Sequence, residues 1–459
     1  MVNTKLWLVQ RQLTTGTPQK RMAAVQKLRA LQDPEGIPLL MDALNDGEAA
    51  VRTEVAAALG DFKQPDAVKA LIGALRDPVP AVQEAAVQAL KKNGDATVIE
   101  PLVGLLLRGA PGVQYHTAQT LHALHWLPRT PGEQIPYYIA RGDFKRVSMF
   151  GPAALKALGT VLRSGSEERR VTAANALAEL GEPAAVNLLI TALKDGEAAV
   201  RAAAVNGLAR LGDARAVPGL LPLLRDRHRN VRVAVVAGLG QLADKAAIEP
   251  LMGLVSDEEW EVRAALAEAL GRLGDRSAQA AILELLKDPD QEVRQNAMEA
   301  LGRLGDESVI DRLVLGMIDV EMGVRQAAAR AAMMVDPFWP RSPRMPAVVA
   351  ELQVALQQGD AGVQVAASVL LRRITGRSGA ELLADAPALV GKPVSDSVTA
   401  LFQRLLVDAD EDVRLAAAEA LGRGRSSATI PALQSALSDK SKWVRRAVEQ
   451  GIAAVLSAK

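Results

Sequence analysis

The chain has 459 residues, and its 54 basic and 53 acidic side chains leave a net charge of +1, which excludes an overall field favouring nucleic acid or membranes. It has no cysteine, so disulfides, thiol nucleophiles and cysteine-ligated metals are excluded, which fits a reducing compartment. No apolar run approaches the roughly 20 residues of a membrane helix, and the N-terminus does not read as a signal peptide. We therefore expect a cytoplasmic protein without membrane insertion.

Residues 1–126 are predicted to form an N-terminal set of helical repeats. Arg21, Arg52, Gln83 and Gln114 occupy equivalent positions and stand 31 residues apart. Self-similarity at such a period is typical of stacked supersecondary units that bury a shared core. Extended along the whole chain, the series gives about 13 helical pairs, interrupted by three insertions. The predicted fold class is therefore all-α, an α-solenoid.

Residues 127–151 are predicted to be an aromatic insertion. The step from Gln114 to Arg170 is 56 residues, one period plus 25. The stretch LPRTPGEQIP is rich in turn residues, and the segment after it reads as short helical or extended pieces. Three interpretations stay open: a brace packed on the solenoid, a platform for a partner, and a pocket for a small molecule. The candidate partner-binding residues in and beside it are His116, Gln119, Trp126, Tyr137, Tyr138 and Phe144.

Three of the four histidines lie just before this insertion. His122 and His125 are three residues apart on a predicted helix, close enough to share a ligand. A metal would require further ligands, for which Glu133 and Asp143 are the nearest acidic candidates. We interpret the histidines as ordinary polar or packing residues, and we predict no metal and no cofactor.

Residues 152–335 are predicted to hold the most regular repeats. The unit at 275–306 shows the pattern: a first helix after Asp275, a break at DPD, and a second helix. Val293, Ala297, Leu301 and Leu304 share one face of that second helix, and a glycine follows as its C-cap. Neither helix can bury its apolar face alone at this length, so neighbouring pairs must supply the core.

Residues 336–459 are predicted to continue the repeats with two irregular insertions, at 336–346 and 376–397. The first contains DPFWPRSPRMP, and the second contains GRSGAELLADAPALVGKPVSDS. Both are rich in turn-forming residues compared with the helices around them.

An aspartate stands six residues before the repeated arginine in eight units. Because acid and base alternate and cancel, this pattern favours a structural ladder along the inter-helix turns over a charged track for a ligand. The eight pairs are Asp46/Arg52, Asp195/Arg201, Asp226/Arg232, Asp257/Arg263, Asp288/Arg294, Asp319/Arg325, Asp408/Arg414 and Asp439/Arg445. The pattern lapses beside the irregular regions, where Gln83 and Gln114 replace arginine.

The unit D-x-x-x-x-V-R-x-x-A-x-x-A-L-G-x-L-G resembles the HEAT-repeat family, in the short bacterial form of the phycobilisome-lyase type. The resemblance covers nearly the whole chain. It implies an α-solenoid in which each arginine bonds aspartates of its own and the adjacent repeat. It also implies that the second helices line a concave face. The di-iron hydroxylase of this family carries His-Glu pairs, and no such dipeptide occurs here.

A polar stripe is predicted along the second helices, at positions three, six and ten residues after the valine that precedes each repeated arginine. It is rich in amides in the middle of the chain and then mixed in sign, so it lacks the net basic charge that tracking a phosphate backbone requires. A solvated helix face and a groove for a protein segment both remain open. Besides His116 and Gln119, its candidate residues are Asn175, Asn206, Glu268, Arg272, Glu299, Arg303 and Arg330.

No phosphate-binding loop and no serine–histidine arrangement with a defined setting occurs, so an enzyme is the less favoured class. The first hypothesis is a non-catalytic scaffold that binds another protein or peptide through the concave face and the 126–150 insertion, with no nucleic acid partner. The family resemblance offers a bilin lyase or chromophore-handling chaperone as the enzymatic alternative. A self-assembling structural protein is a third hypothesis, because apolar residues lie in both terminal repeats.

Overall fold

The computed structural model describes residues 4–358, 361–376, 405–407, 411–423 and 429–457, and every regular element in these ranges is helical. They fall into two compact units, Met1–Asp213 and Ala214–Lys459. Each unit is a stack of helical pairs, as the 31-residue period predicts. None of the described helices is both long and apolar enough to span a membrane.

The first unit consists of six helical pairs and one additional pair of short helices. Its helices are α1 (Thr4–Thr15), α2 (Pro18–Leu31), α3 (Ile37–Ala43), α4 (Ala49–Leu59), α5 (Pro65–Ala74), α6 (Pro80–Asn93), α7 (Ile99–Arg108), α8 (Pro111–Ala123), α9 (Pro131–Ala140), α10 (Phe144–Ser148), α11 (Leu155–Ser164), α12 (Glu167–Leu180), α13 (Ala185–Ala192) and α14 (Ala198–Leu211).

The second unit continues the same alternation of a shorter first helix and a longer second helix. Its helices within the described ranges are α15 (Val217–Leu220), α16 (Arg229–Leu242), α17 (Ile248–Met252), α18 (Trp260–Leu273), α19 (Gln279–Leu285), α20 (Gln291–Leu304), α21 (Ile310–Gly316), α22 (Met322–Val335), α23 (Met345–Gln358), α24 (Ala361–Thr375), α25 (Glu411–Arg423), α26 (Ile430–Ser435) and α27 (Lys442–Ser457).

The boundaries of each pair follow from its capping residues. In the unit at 275–306, the carboxylate of Asp275 accepts a hydrogen bond from the backbone N–H of Ser277 and starts a short 3-10 turn before α19. Asp290 caps α20 in the same way, accepting from the N–H of Glu292 at 2.8 Å. Gly305 ends α20 in the left-handed conformation, with φ of 63°. The predicted core positions of α20, from Val293 to Leu304, are buried.

The second helices of neighbouring repeats approach so closely that only small residues fit between them. A Cβ added to Gly271 of α18 would lie 2.8 Å from both Cα and Cβ of Ala300 in α20. Gly302 stands in the same relation to Ala331 of α22. Such backbone-to-backbone contact excludes large side chains, which explains why the repeats contain so few aromatic residues.

The repeated arginines and aspartates link consecutive repeats through both side chain and backbone. Arg263 donates from Nε and Nη2 to the two carboxylate oxygens of Asp288, at 2.6 and 2.9 Å, and from Nη1 to the backbone carbonyl of Asp257, at 2.7 Å. The contact with its own repeat is therefore to a carbonyl, whereas the contact with the next repeat is a bidentate ion pair. Other pairs with this geometry are Arg21–Asp46, Arg52–Asp77, Arg170–Asp195, Arg232–Asp257, Arg294–Asp319 and Arg414–Asp439.

The series changes where glutamine replaces arginine or where the next aspartate is lost. Gln83 donates from Nε2 to the carbonyl of Asp77 at 2.7 Å and so keeps only the backbone contact. Arg325 keeps its bonds to the carbonyls of Asp319 and Val320, at 2.7 and 2.9 Å. Arg445 also donates to the carbonyl of the aspartate six residues earlier, and Arg201 makes this contact as the regular units do. Asp408 lies outside the described residues.

The aromatic insertion folds as a helical hairpin in the first unit. α9 packs on α7 and α8, α10 packs on α12, and the two helices pack on each other. Glu133 completes a capping box at the start of α9, where its carboxylate accepts from the backbone N–H groups of Arg129 and Thr130. These hydrogen bonds lower the pKa of Glu133. The segment predicted as helical or extended is thus helical and packed into the stack.

The insertion at 336–346 contains a 3-10 turn, Trp339–Arg341, followed by the start of α23. Trp339 is buried, whereas the neighbouring Phe338 is 70% exposed. Of the insertion at 376–397, only Gly376 lies within the described residues.

Candidate partner-binding surface

In the first unit, the polar stripe presents amide side chains to solvent. Asn175 of α12 and Asn206 of α14 are exposed, and His116 and Gln119 of α8 are half-buried. The ring of His116 meets the ring of Tyr115 edge to face, with centroids 5.3 Å apart. Exposed amides that alternate donors and acceptors suit an extended polypeptide backbone.

In the second unit, the same stripe is occupied by ion pairs among its own residues. Glu268 accepts from Arg272 at 2.7 Å along α18. Glu299 accepts from Arg330 of α22 at 3.1 Å and lies 3.8 Å from Arg303. Two glutamates thus face three arginines, so these five side chains leave only one uncompensated positive charge, and solvent screens it.

The aromatic residues of the insertion form a row of ring contacts. Trp126 meets Tyr137 edge to face at 5.9 Å, Tyr137 meets Tyr138 at 5.5 Å, and Tyr138 stacks on Phe150 at 6.3 Å. Tyr137 and Phe144 are only 3% and 5% exposed, so most of their surface faces the protein core rather than solvent. Trp126 and Tyr138 are half-buried against the same core.

A hydrogen bond links this insertion to the repeat that follows. Arg169 of α12 donates from Nη2 to the backbone carbonyl of Ile139 in α9, at 2.6 Å. Burial lowers the pKa of the Arg169 guanidinium. The inner side of the hairpin therefore belongs to the packing of the solenoid, and only its outer side is available to a partner.

An open cleft of about 400 Å³ lies where the stripe meets the insertion. Tyr115, Gln119 and His122 of α8 line it, together with Lys91 of α6 and Arg141, the residue directly after α9. We call this the α8 cleft. It combines two basic side chains, a half-buried amide and a tyrosine that is 42% exposed. Such a lining can bind an anionic group and provide apolar contact beside it.

The walls of the α8 cleft are held in place by one hydrogen-bonded group. Tyr137 Oη lies 3.3 Å from His122 Nδ1, and Arg141 Nη1 donates to the same Oη at 3.3 Å. The guanidinium of Arg141 also lies over the Tyr137 ring, 5.5 Å from its centroid. His125, by contrast, adopts a left-handed conformation after α8, with φ of 58°. No group of three or more potential metal ligands occurs in the part of the chain that the structure describes.

Lys91 and Arg141 were not among the sequence-predicted site residues. Lys91 neighbours the stripe position Lys92, which instead pairs with Asp61 of the preceding repeat at 3.0 Å. Arg141 follows the aromatic segment in sequence but reaches α8 only because α9 folds back onto it. Only one feature of the sequence could have indicated Arg141. The insertion contains several basic residues as well as the aromatic residues on which the prediction relied.

Stacked helical pairs sharing a continuous core, with a ladder along their turns, define the class of α-solenoid repeat proteins. The chain belongs to the HEAT-repeat family. The family model for HEAT repeats matches residues 6–91, 37–122, 155–229, 217–282, 253–334, 280–371 and 398–456. The matches leave 123–154 uncovered, which is the stretch that contains the α9–α10 hairpin.

No curated protein gives a significant match, and the solved structures that are similar to this chain share little sequence with it. The CpcE–CpcF complex of phycocyanin lyase from Nostoc is 21% identical over 65% of this chain and 93% of that chain, with a TM-score of 0.32. Human deoxyhypusine hydroxylase is 23% identical over 66% and 96%, with a TM-score of 0.25. Kap95p, solved in a study of its binding to RanGDP, is 15% identical over 100% and 73%, with a TM-score of 0.39.

Proposed function

We propose that the chain is a non-catalytic scaffold that binds another protein through the polar stripe and the outer side of the 126–150 insertion. The observation that carries the proposal is the α8 cleft, in which the stripe residue Gln119 and the insertion residue Arg141 line one surface. Exposed Asn175 and Asn206 continue the polar surface on α12 and α14. An extended protein segment can use such a row of amides for backbone hydrogen bonds.

The packing of the insertion determines how this proposal must be tested. Removing the segment from Pro128 to Phe150 would delete Tyr137, Phe144 and Val147 from the core, so a loss of binding could not be separated from misfolding. Substitutions confined to exposed positions avoid this problem.

The test is affinity capture from a native lysate with the wild-type chain and two double variants. Asn175→Arg/Asn206→Arg places bulky charges on the second helices, whereas the control, Thr160→Arg/Asn187→Arg, adds the same charges to exposed positions of the first helices α11 and α13. We expect the wild type and the control to retain the same protein and the stripe variant to lose it. Equal retention by all three proteins, each with unchanged helicity and melting temperature, would show that the stripe is not the binding surface.

The second candidate function is self-association, which the exposed terminal aromatics favour. Trp7 and Leu8 of α1 are 50% and 53% exposed, and Trp443 of α27 is 45% exposed. Exposed apolar side chains of this size can form a contact between two protein copies. Light scattering over a range of protein concentrations tests this function. A molar mass that stays at the 48.6 kDa of one chain throughout would eliminate it.

A further inference from the structure

The α8 cleft carries a local positive charge. Lys91 of α6 and Arg141, which directly follows α9, both line it, and α6 and α9 each pack on α8. Within the described part of the chain, neither residue forms an ion pair with a carboxylate, and Arg141 makes its side-chain contacts with Tyr137. By comparison, Arg272 and Arg330 on the second unit's stripe are both paired with glutamates.

Arg141 is preorganised rather than free to collapse onto the surface. Its guanidinium lies over the Tyr137 ring and donates one hydrogen bond to the phenol oxygen, and Tyr137 is itself buried in the core. A guanidinium has five N–H donors, so this arrangement leaves donors for a ligand. A preorganised cation loses little conformational entropy when an anion binds.

We propose that the α8 cleft binds carboxylate side chains of an acidic, extended segment of the partner protein. Arg141 would take one carboxylate, Lys91 a second across the cleft, and exposed Tyr115 would contact the apolar part of the segment. Charge complementarity selects an acidic segment, and the amide of Gln119 in the cleft lining can bond the backbone of that segment. The inference rests on the proposed scaffold function and adds the chemistry of the ligand.

A nucleic acid fits this surface less well than a peptide. Following a phosphate backbone requires a run of cations along the groove, whereas the first unit's stripe beyond the cleft offers the neutral Asn175 and Asn206, together with Glu179 and Arg210 of opposite sign. Two cations separated by a half-buried amide match a few carboxylates better than a continuous charged strand.

Fluorescence anisotropy with a labelled peptide of alternating glutamate and serine tests the assignment, with the glutamine–serine peptide as the neutral comparison. The cleft variant is Lys91→Gln/Arg141→Gln. The control, Lys69→Gln/Lys145→Gln, removes two positive charges at exposed positions of α5 and α10 outside the cleft lining. We expect the cleft variant to bind the acidic peptide about tenfold more weakly and the control to change the affinity by less than about twofold. The single variant Arg141→Lys retains the positive charge and should bind the acidic peptide with most of the wild-type affinity. This result would show that the cleft variant loses affinity through lost charge and not through misfolding.

The outcomes separate this inference from the scaffold function. If the cleft and control variants lost affinity for the acidic peptide equally, the loss would come from the overall charge of the protein, and the assignment to the cleft would be overturned. Tighter binding of a labelled oligothymidylate, with the same dependence on Lys91 and Arg141, would replace the acidic peptide with a nucleic acid. Failure of the wild type to bind the acidic peptide, while lysate capture still depends on Asn175 and Asn206, would refute the cleft ligand and leave the scaffold function standing.

Discussion

At the scale of single residues, α16 ends at an alanine where the neighbouring second helices end at a glycine, and replacing this alanine should stabilise the protein. Ala243 adopts the left-handed conformation, with φ of 55°, where the equivalent Gly212, Gly274 and Gly305 have φ between 63° and 67°. The methyl group of an L-residue costs roughly 1–2 kcal/mol there. We expect Ala243→Gly to raise the free energy of unfolding by about 0.5–1 kcal/mol in urea denaturation, after the greater entropy of unfolded glycine is subtracted.

The reverse substitution is the matched control for this prediction. Gly274→Ala introduces the same strain at the end of α18 and should lower the free energy of unfolding by about 1 kcal/mol. A loss of stability in Ala243→Gly would mean that this alanine makes a contact that outweighs its backbone strain.

Two arginines of α18 allow an ion pair of the ladder to be compared with an ion pair of the polar stripe. Arg263 forms a bidentate pair with Asp288 in which the side chains are 13% and 7% exposed, whereas Arg272 pairs with Glu268 at 51% and 46% exposure. Arg263→Met leaves a sheltered carboxylate unpaired and should lower the free energy of unfolding by about 2 kcal/mol. Arg272→Met should change it by less than about 0.5 kcal/mol, because solvent screens that pair. Chemical denaturation of both variants checks the difference, and equal losses would contradict it.

At the scale of helices, the contact between second helices predicts opposite signs for the same substitution. Gly271→Ala places a methyl group 2.8 Å from Cα of Ala300, so α18 and α20 must move apart, at a cost of about 1–3 kcal/mol. Gly73→Ala in α5 meets no atom within 4 Å at an exposed position and should stabilise the helix by about 0.5–1 kcal/mol. Thermal unfolding of the two variants measures both effects. A stabilised Gly271→Ala would show that the interface is not tightly packed.

Sequence periodicity was sufficient for the repeated helices but not for the contacts between them. The buried faces of α20 and its neighbours follow from residue spacing within a single helix, which the sequence records directly. The family resemblance implies that each arginine bonds aspartates of its own and the adjacent repeat, without specifying the atoms. The observed geometry, in which Arg263 reaches its own repeat through a carbonyl and the next through Asp288, depends on how the turns stack.

The α8 cleft was beyond sequence reasoning for the same reason. Lys91, Tyr115 and Arg141 come from three helices, and only the folding of α9 onto α8 brings Arg141 to the cleft. The burial of the insertion's aromatics could be anticipated, because large rings have no room between the close-packed second helices. The sequence does not show which basic residue of the insertion lacks an ion pair, because that depends on the positions of all the carboxylates nearby.

At the scale of the whole molecule, the carboxylates of the ladder and of the helix caps make the free energy of unfolding depend on pH in the acidic range. Hydrogen bonds from Arg21 and Arg414 hold the pKa values of Asp46 and Asp439 below the usual range, and the N–H of Ser277, its hydroxyl and Lys245 lower the pKa of Asp275 to about 2. A carboxylate whose pKa is lowered by folding stabilises the protein above its unfolded pKa, about 4. That stabilisation is lost as the pH falls through the lower, folded values.

We therefore expect a melting temperature that is nearly constant from about pH 7 to pH 5 and falls steeply between about pH 4 and pH 2. Asp46→Asn removes one of these titrating groups, so its melting temperature should fall less steeply with acid, from a lower starting value. Circular dichroism melting across this pH range provides the measurement. Parallel curves for the two proteins would mean that Asp46 does not contribute to the acid sensitivity.

The constant spacing of the ladder has a consequence for how such a chain can change its length. Arg232, Arg263 and Arg294 each bond an aspartate 25 residues later, and each unit of 31 residues presents matching surfaces on its two sides. A tandem duplication of residues 257–287 would put a copy of Asp257 where Asp288 now meets Arg263. It would also put a copy of Ala269 opposite Gly271. Genetic gain of this whole unit therefore preserves the ladder and the close contact between second helices, whereas an insertion of any other length there must break the ladder or be absorbed by an added element such as the α9–α10 hairpin.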